Sequence, residues 1–90
     1  AHAPVVYFIG NGSRVKIGTS QNLRRRIARL CLRTTDVLLV LHGDQRFEEE
    51  LHERFAAYRV GNTEWFAYEG TLADYVRDQA GRISKKEQGQ

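Results

Sequence analysis

Apolar residues fall along this chain in two rhythms. Val5 to Ile9 is a short β-branched and aromatic run, which predicts a strand. Gly10-Asn11-Gly12-Ser13 follows, a cluster suited to the positive φ angles of a tight turn, and Arg14 to Gly18 then alternates polar and apolar residues as a partner strand does. Val37 to Leu41 is apolar without interruption, which predicts a central strand buried on both faces. Elsewhere the spacing changes to that of a helix. Leu23, Ile27, Leu30 and Cys31 share one face of a helix from about Asn22 to Arg33. Phe47, Leu51, Phe55 and Tyr58 share one face of a second, from about Gln45 to Tyr58, and Leu72, Tyr75, Val76 and Ile83 share a face of a third, with Thr71 as N-cap. Glu64-Trp65-Phe66 reads as a short anchoring strand or turn. The order β-β-α-β-α-(β)-α is α+β: a small antiparallel sheet of about three strands flanked by three helices. Residues 1–83 form a single domain, and polar Ser84 to Gln90 a flexible tail.

Length and charge narrow the function. Ninety residues can build one core and no second lobe. The apolar runs are far shorter than the roughly 18 residues a membrane helix needs, and Ala1-His2-Ala3-Pro4 has no basic-then-apolar signal pattern. The single cysteine, Cys31, allows no internal disulfide, which fits a reducing compartment. The expectation is a cytoplasmic protein with no membrane partner. Net charge is only +3, yet it is unevenly spread. Arg14 to Arg33 holds seven basic residues and no acid, whereas Asp44 to Glu53 holds five acids and only Arg46. Cations for phosphates beside a carboxylate for a metal would suit a metal-dependent phosphodiesterase. Two oppositely charged, solvated helix faces would look the same.

Particular residues sharpen the first reading. If Asn11-Gly12 makes the turn, Tyr7 faces Lys16 directly across the hairpin, and the ammonium lowers the phenol pKa. As a phenolate, Tyr7 accepts a proton at lower pH than an isolated tyrosine does. The same pair also serves as an amphipathic contact with a snorkelling lysine. In the first helix Arg26 borders the apolar face, where a guanidinium can grip a phosphate through two parallel hydrogen bonds. Arg25, Arg29 and Arg33 point outward and, with Arg14, suit non-specific contacts to a nucleic-acid backbone, or simple solvation. Of the consecutive Glu48, Glu49 and Glu50, Glu48 falls nearest the apolar face of its helix. One carboxylate suits one Mg²⁺ (or Mn²⁺), although all three glutamates also favour the helix N-terminus. Arg54 falls on the apolar side as well. His52, one turn beyond Glu48, either backs the metal site and handles a proton, or packs against the core.

These positions carry a resemblance. Val5-Val6-Tyr7 and Lys16-Ile17-Gly18 look like the two half-motifs of the GIY-YIG nucleases, with Arg26 matching that superfamily's helix arginine and Glu48 its helix glutamate. Val15-Lys16-Ile17-Gly18, Leu51-His52-x-x-Phe55 and Glu64-Trp65-Phe66 resemble more closely a phage and microbial branch of it. The resemblance implies a GIY-YIG-like fold and a metal-dependent endonuclease that leaves a 5′-phosphate and a 3′-hydroxyl. Tyr7 would be the general base or orient the water, Glu48 would hold one divalent metal, and Arg26 would stabilise charge on the phosphate. The first half-motif lacks Gly-Ile, and Lys16 replaces the second tyrosine, so Lys16 can act only through its charge. The expected partner is nucleic acid, DNA ahead of RNA, with specificity supplied by a partner or flanking domain. The alternative is a catalytically weak or inactive DNA-binding or regulatory module of the same fold.

Overall fold

A computed structural model describes residues 3–30 and 33–88. Its elements are β1 (Val5–Asn11), β2 (Arg14–Ser20), α1 (Leu23–Arg29), β3 (Val37–His42), α2 (Gln45–Arg54), β4 (Trp65–Ala67) and α3 (Gly70–Gln88), with single 3₁₀ turns at Thr34–Asp36 and Ala56–Tyr58. Among the described residues the strands form one four-stranded antiparallel sheet in the order β3-β1-β2-β4. The fold is α+β, as the alternating periods predict, and Glu64-Trp65-Phe66 leads into a true fourth strand.

Two expectations about the sheet are corrected. The hairpin closes around Gly12-Ser13, not Asn11-Gly12, with Asn11 opposite Arg14 and Gly12 at φ +62°. A glycine with positive φ at the first central position is what the primed hairpin turns require. Tyr7 therefore pairs with Gly18, and Lys16 pairs with Ile9. The slip is two residues, so Tyr7 and Lys16 keep the same face but stand diagonally rather than opposite. The apolar run Val37 to Leu41 belongs to an edge strand, while β1 and β2 are central. An unbroken apolar run reports that both faces of a strand are covered, and it carries no information about its edges.

The helices differ in their ends. α1 ends at Arg29, and in the next 3₁₀ turn the Asp36 carboxylate accepts from the Arg33 N–H at 3.1 Å. Arg33 thus lies beyond the helix, and Cys31, expected on the apolar stripe of that helix, lies outside the described residues. α2 begins under Asp44, whose side chain accepts from the Phe47 N–H at 3.2 Å. Thr71 is not the cap of α3. Its N–H instead donates to the Tyr58 hydroxyl at 3.0 Å, so a side chain from the preceding 3₁₀ turn satisfies the helix end. Ser84 to Gln88, expected as a fraying tail, is helical.

The main core fills one face of the sheet. Val6, Phe8, Val15, Ile17, Leu39 and Phe66 meet Leu51 and Phe55 from α2 and its end, and Leu72 and Val76 from α3. Arg54, which the helical wheel places on the apolar side, lays its guanidinium over the Tyr75 ring, 4.9 Å from the centroid. Strand alternation turns Tyr7 and Ile9 to the opposite face, where both are buried. α1 lies on that face: its Ile27 is buried, and Leu23 and Arg24 line a groove with Val5 and Val40.

Candidate functional site

β4 is too short to cover β2. It pairs with Arg14, Val15 and Lys16, and the last rung is the Ile17 N–H donating to the Glu64 carbonyl at 3.2 Å. From the Ile17 carbonyl onward this edge of β2 has no strand beside it among the described residues. An open edge at mid-sheet is where side chains from both faces can meet.

Tyr7 reaches this edge from β1. Its ring lies across Gly18, where a Cβ would come within 2.6 Å of Tyr7 Cζ. Gly18 sits in an ordinary strand, so its lack of a side chain serves close approach and not an unusual backbone angle. Tyr7 is 1% exposed, and burial pushes its phenol above the ordinary tyrosine pKa. The Arg26 guanidinium beside it pulls the other way, while the Glu64 and Glu48 carboxylates push it further up. This corrects the expectation of a depressed value. The two-residue register shift moves Lys16 to the diagonal, and Arg26 is the cation that acts on the phenol.

Glu48 approaches from the other face of the sheet, on α2. Its side chain is largely buried, unlike those of Glu49 and Glu50, as the wheel predicts. His52, one turn later, places Nε2 2.9 Å from the Ile17 carbonyl and 3.9 Å from Glu48 Oε2, and its ring meets Phe66 edge-on at 5.0 Å between centroids. The structure therefore brings Tyr7, Arg26 and Glu48 to one edge, with His52 alongside. Lys16 stands two residues up β2 on the Tyr7 face and is half-buried.

Glu64 was not foreseen as a site residue. The triplet Glu64-Trp65-Phe66 was the available signal, but only the fold shows that the charge of this exposed acid acts on the Tyr7 phenol.

Of the outward cations, Arg25 and Arg29 join Arg26, Thr19, Ser20, Gln21 and Asn22 around an open groove of about 320 Å³. Asn22 organises this end by capping α1, its side chain accepting from the Arg25 N–H at 3.1 Å. The groove holds cations and neutral polar groups without a carboxylate, so it suits a phosphate chain. Arg14 is not part of it: it starts β2, four residues and roughly 13 Å along the strand from Gly18. Arg33 is exposed beyond the end of α1 and does not line it either.

Glu48 is a side chain that could hold a metal. A single carboxylate ligand suits Mg²⁺ or Mn²⁺, which keep several waters and take other oxygens from a phosphate. Among the described residues no three of His, Cys, Asp and Glu gather to hold a metal ion, so water and a phosphate would have to supply the remaining ligands. No helix among them is long and apolar enough to cross a membrane.

The chain belongs to the T5orf172 domain family, whose model matches residues 4–84, a domain found in phage and bacterial nuclease-like proteins. Comparison with curated proteins and with solved structures returned no match.

Proposed function

We propose that this T5orf172 domain is a metal-dependent endonuclease of the GIY-YIG type, acting on DNA in preference to RNA. The observation that carries the reading is the meeting of the Tyr7 phenol, the Arg26 guanidinium and the Glu48 carboxylate at the open edge of β2, beside a groove lined by Arg25 and Arg29.

In this mechanism a phosphate chain enters the groove, and Arg26 faces the scissile phosphate, offsetting charge that builds on its oxygens. In the fraction of molecules where Tyr7 has released its proton to solvent, the phenolate takes a proton from the attacking water as the new P–O bond forms, and the 3′ oxygen leaves with its bonding pair and takes a proton from solvent. Lys16 adds positive charge next to this position and handles no proton. Glu48 would hold one Mg²⁺, which when bound supplies positive charge against a phosphate oxygen. Burial, reinforced by the Glu64 and Glu48 charges, keeps the phenol protonated further into the alkaline range than an ordinary tyrosine.

A second reading is a DNA-binding or regulatory module of the same fold. The buried, protonated Tyr7 beside a cationic groove favours it, because such a site can hold a phosphate without cutting. Supercoiled plasmid with Mg²⁺ or Mn²⁺ separates the two. Nicking that is lost on chelation, in Glu48→Ala and in Tyr7→Phe supports the nuclease. Equal trace nicking in wild type and both variants, with salt-dependent DNA binding retained, supports the module.

A further inference from the structure

Among the described residues, the one hydrogen bond that ties α2 to the open edge of β2 comes from His52. A carbonyl oxygen can only accept, so the 2.9 Å contact with Ile17 requires the proton on Nε2. Phe66 meets the ring edge-on, and Ile17 is followed directly by Gly18, over which Tyr7 lies. Glu48 stands one turn earlier on the same helix face, its Oε2 3.9 Å from the same nitrogen. That gap is too long for a hydrogen bond. The two side chains are 15% and 13% exposed, so the fixed ring is a wall that restricts where the carboxylate can point. No hydrogen bond in the described residues reaches the Glu48 carboxylate.

We propose that His52 is a positioning residue: its Nε2–H clamp on the Ile17 carbonyl sets the angle at which Glu48 presents its carboxylate beside Tyr7, and so sets the affinity for the divalent ion. This rests on the reading of Glu48 as the metal ligand. A core histidine that only packed against Phe66 would be replaceable by any ring of similar size. A positioning histidine is replaceable by a side chain that keeps the donor. Glutamine does so, because its amide nitrogen falls where Nε2 lies, whereas phenylalanine keeps the ring and removes the donor.

Two measurements test this. Calorimetric titration of Mn²⁺ into the metal-free protein should give His52→Phe a half-saturating concentration roughly ten- to a hundredfold higher than wild type, with His52→Gln within roughly threefold. Long-range ¹H–¹⁵N spectra of metal-free wild type should show His52 protonated at Nε2, a readout that needs no variant to fold. Mn²⁺ affinity in a folded His52→Phe equal to wild type overturns the positioning role alone, and so does a proton found on Nδ1 with Nε2 bare. Absence of Mn²⁺ binding to wild type overturns it together with the metal assignment of Glu48.

Discussion

Tyr7 and Gly18 are locked in shape as well as in register: the ring of one fills the space where the other would carry a side chain. Gly18→Ala sets two effects against each other. Alanine in a strand interior is worth about 0.5–1 kcal/mol over glycine, but a methyl 2.6 Å from Tyr7 Cζ is an overpacking defect of about 1–3 kcal/mol. The clash wins. Urea unfolding should show net destabilisation, and nicking should fall because the phenol is displaced. In a Tyr7→Ala background the same Gly18→Ala change should be neutral or stabilising, since its obstacle is gone. An additive double-mutant cycle would contradict the contact.

The sequence made parts of this site readable and hid others for physical reasons. Arg26 and Glu48 were legible because a helical wheel is a local object: one residue borders the apolar stripe of α1, the other that of α2. The face shared by Tyr7 and Lys16 was legible too, since strand parity survives a two-residue slip. The exact pairing was not, because Asn11-Gly12 and Gly12-Ser13 are both acceptable turns and only the packing of Tyr7 over Gly18 chooses between them. Glu64 and the Ile17 carbonyl stayed hidden because their roles come from β4 and α2 docking on β2, contacts between segments far apart in the chain. The strand position of β3 was misjudged for the same reason.

The cap supplied by Tyr58 should be a stability feature separable from chemistry. Its hydroxyl accepts from the Thr71 N–H and pairs with Thr71 Oγ1, both at 3.0 Å. Tyr58→Phe removes both bonds and leaves the first turn of α3 uncapped, at a cost of about 1 kcal/mol. The expected result is a lower urea midpoint with unchanged nicking per folded molecule. Unchanged stability would show that water replaces the hydroxyl without loss.

The groove distinguishes among arginines that composition treats alike. Arg25 and Arg29 line it, whereas Arg14 sits at the far end of β2. Each phosphate contact removed lowers the slope of log affinity against log salt by about 0.9 on duplex DNA. Fluorescence anisotropy with a short duplex should therefore give a slope smaller by about 2 for the Arg25→Ala/Arg29→Ala double variant, and an unchanged slope for Arg14→Ala. Equal effects at Arg14 would place the binding path along the hairpin instead.

The raised pKa of Tyr7 predicts opposite signs for stability and activity on the alkaline side. Burial is the main cause, with Arg26 opposing and Glu64 and Glu48 reinforcing it. In the unfolded chain the phenol loses its proton near the ordinary tyrosine value of about 10; in the folded protein it holds the proton to higher pH. Below that ordinary value both states are protonated and the contribution is fully present. Above it the unfolded state binds fewer protons than the folded one, so stability falls as pH rises toward the folded value. Tyr75 shifts in the same direction through burial, offset in part by Arg54, so wild type should lose urea resistance above about pH 10 and Tyr7→Phe should lose less. Activity runs the other way, because the ionised phenol is the proton acceptor and its fraction grows roughly tenfold per pH unit below the folded pKa. Nicking should therefore climb steadily through the alkaline range, and any residual rate in Tyr7→Phe should not. A rate already level near neutral pH would mean that a group other than Tyr7 takes the proton.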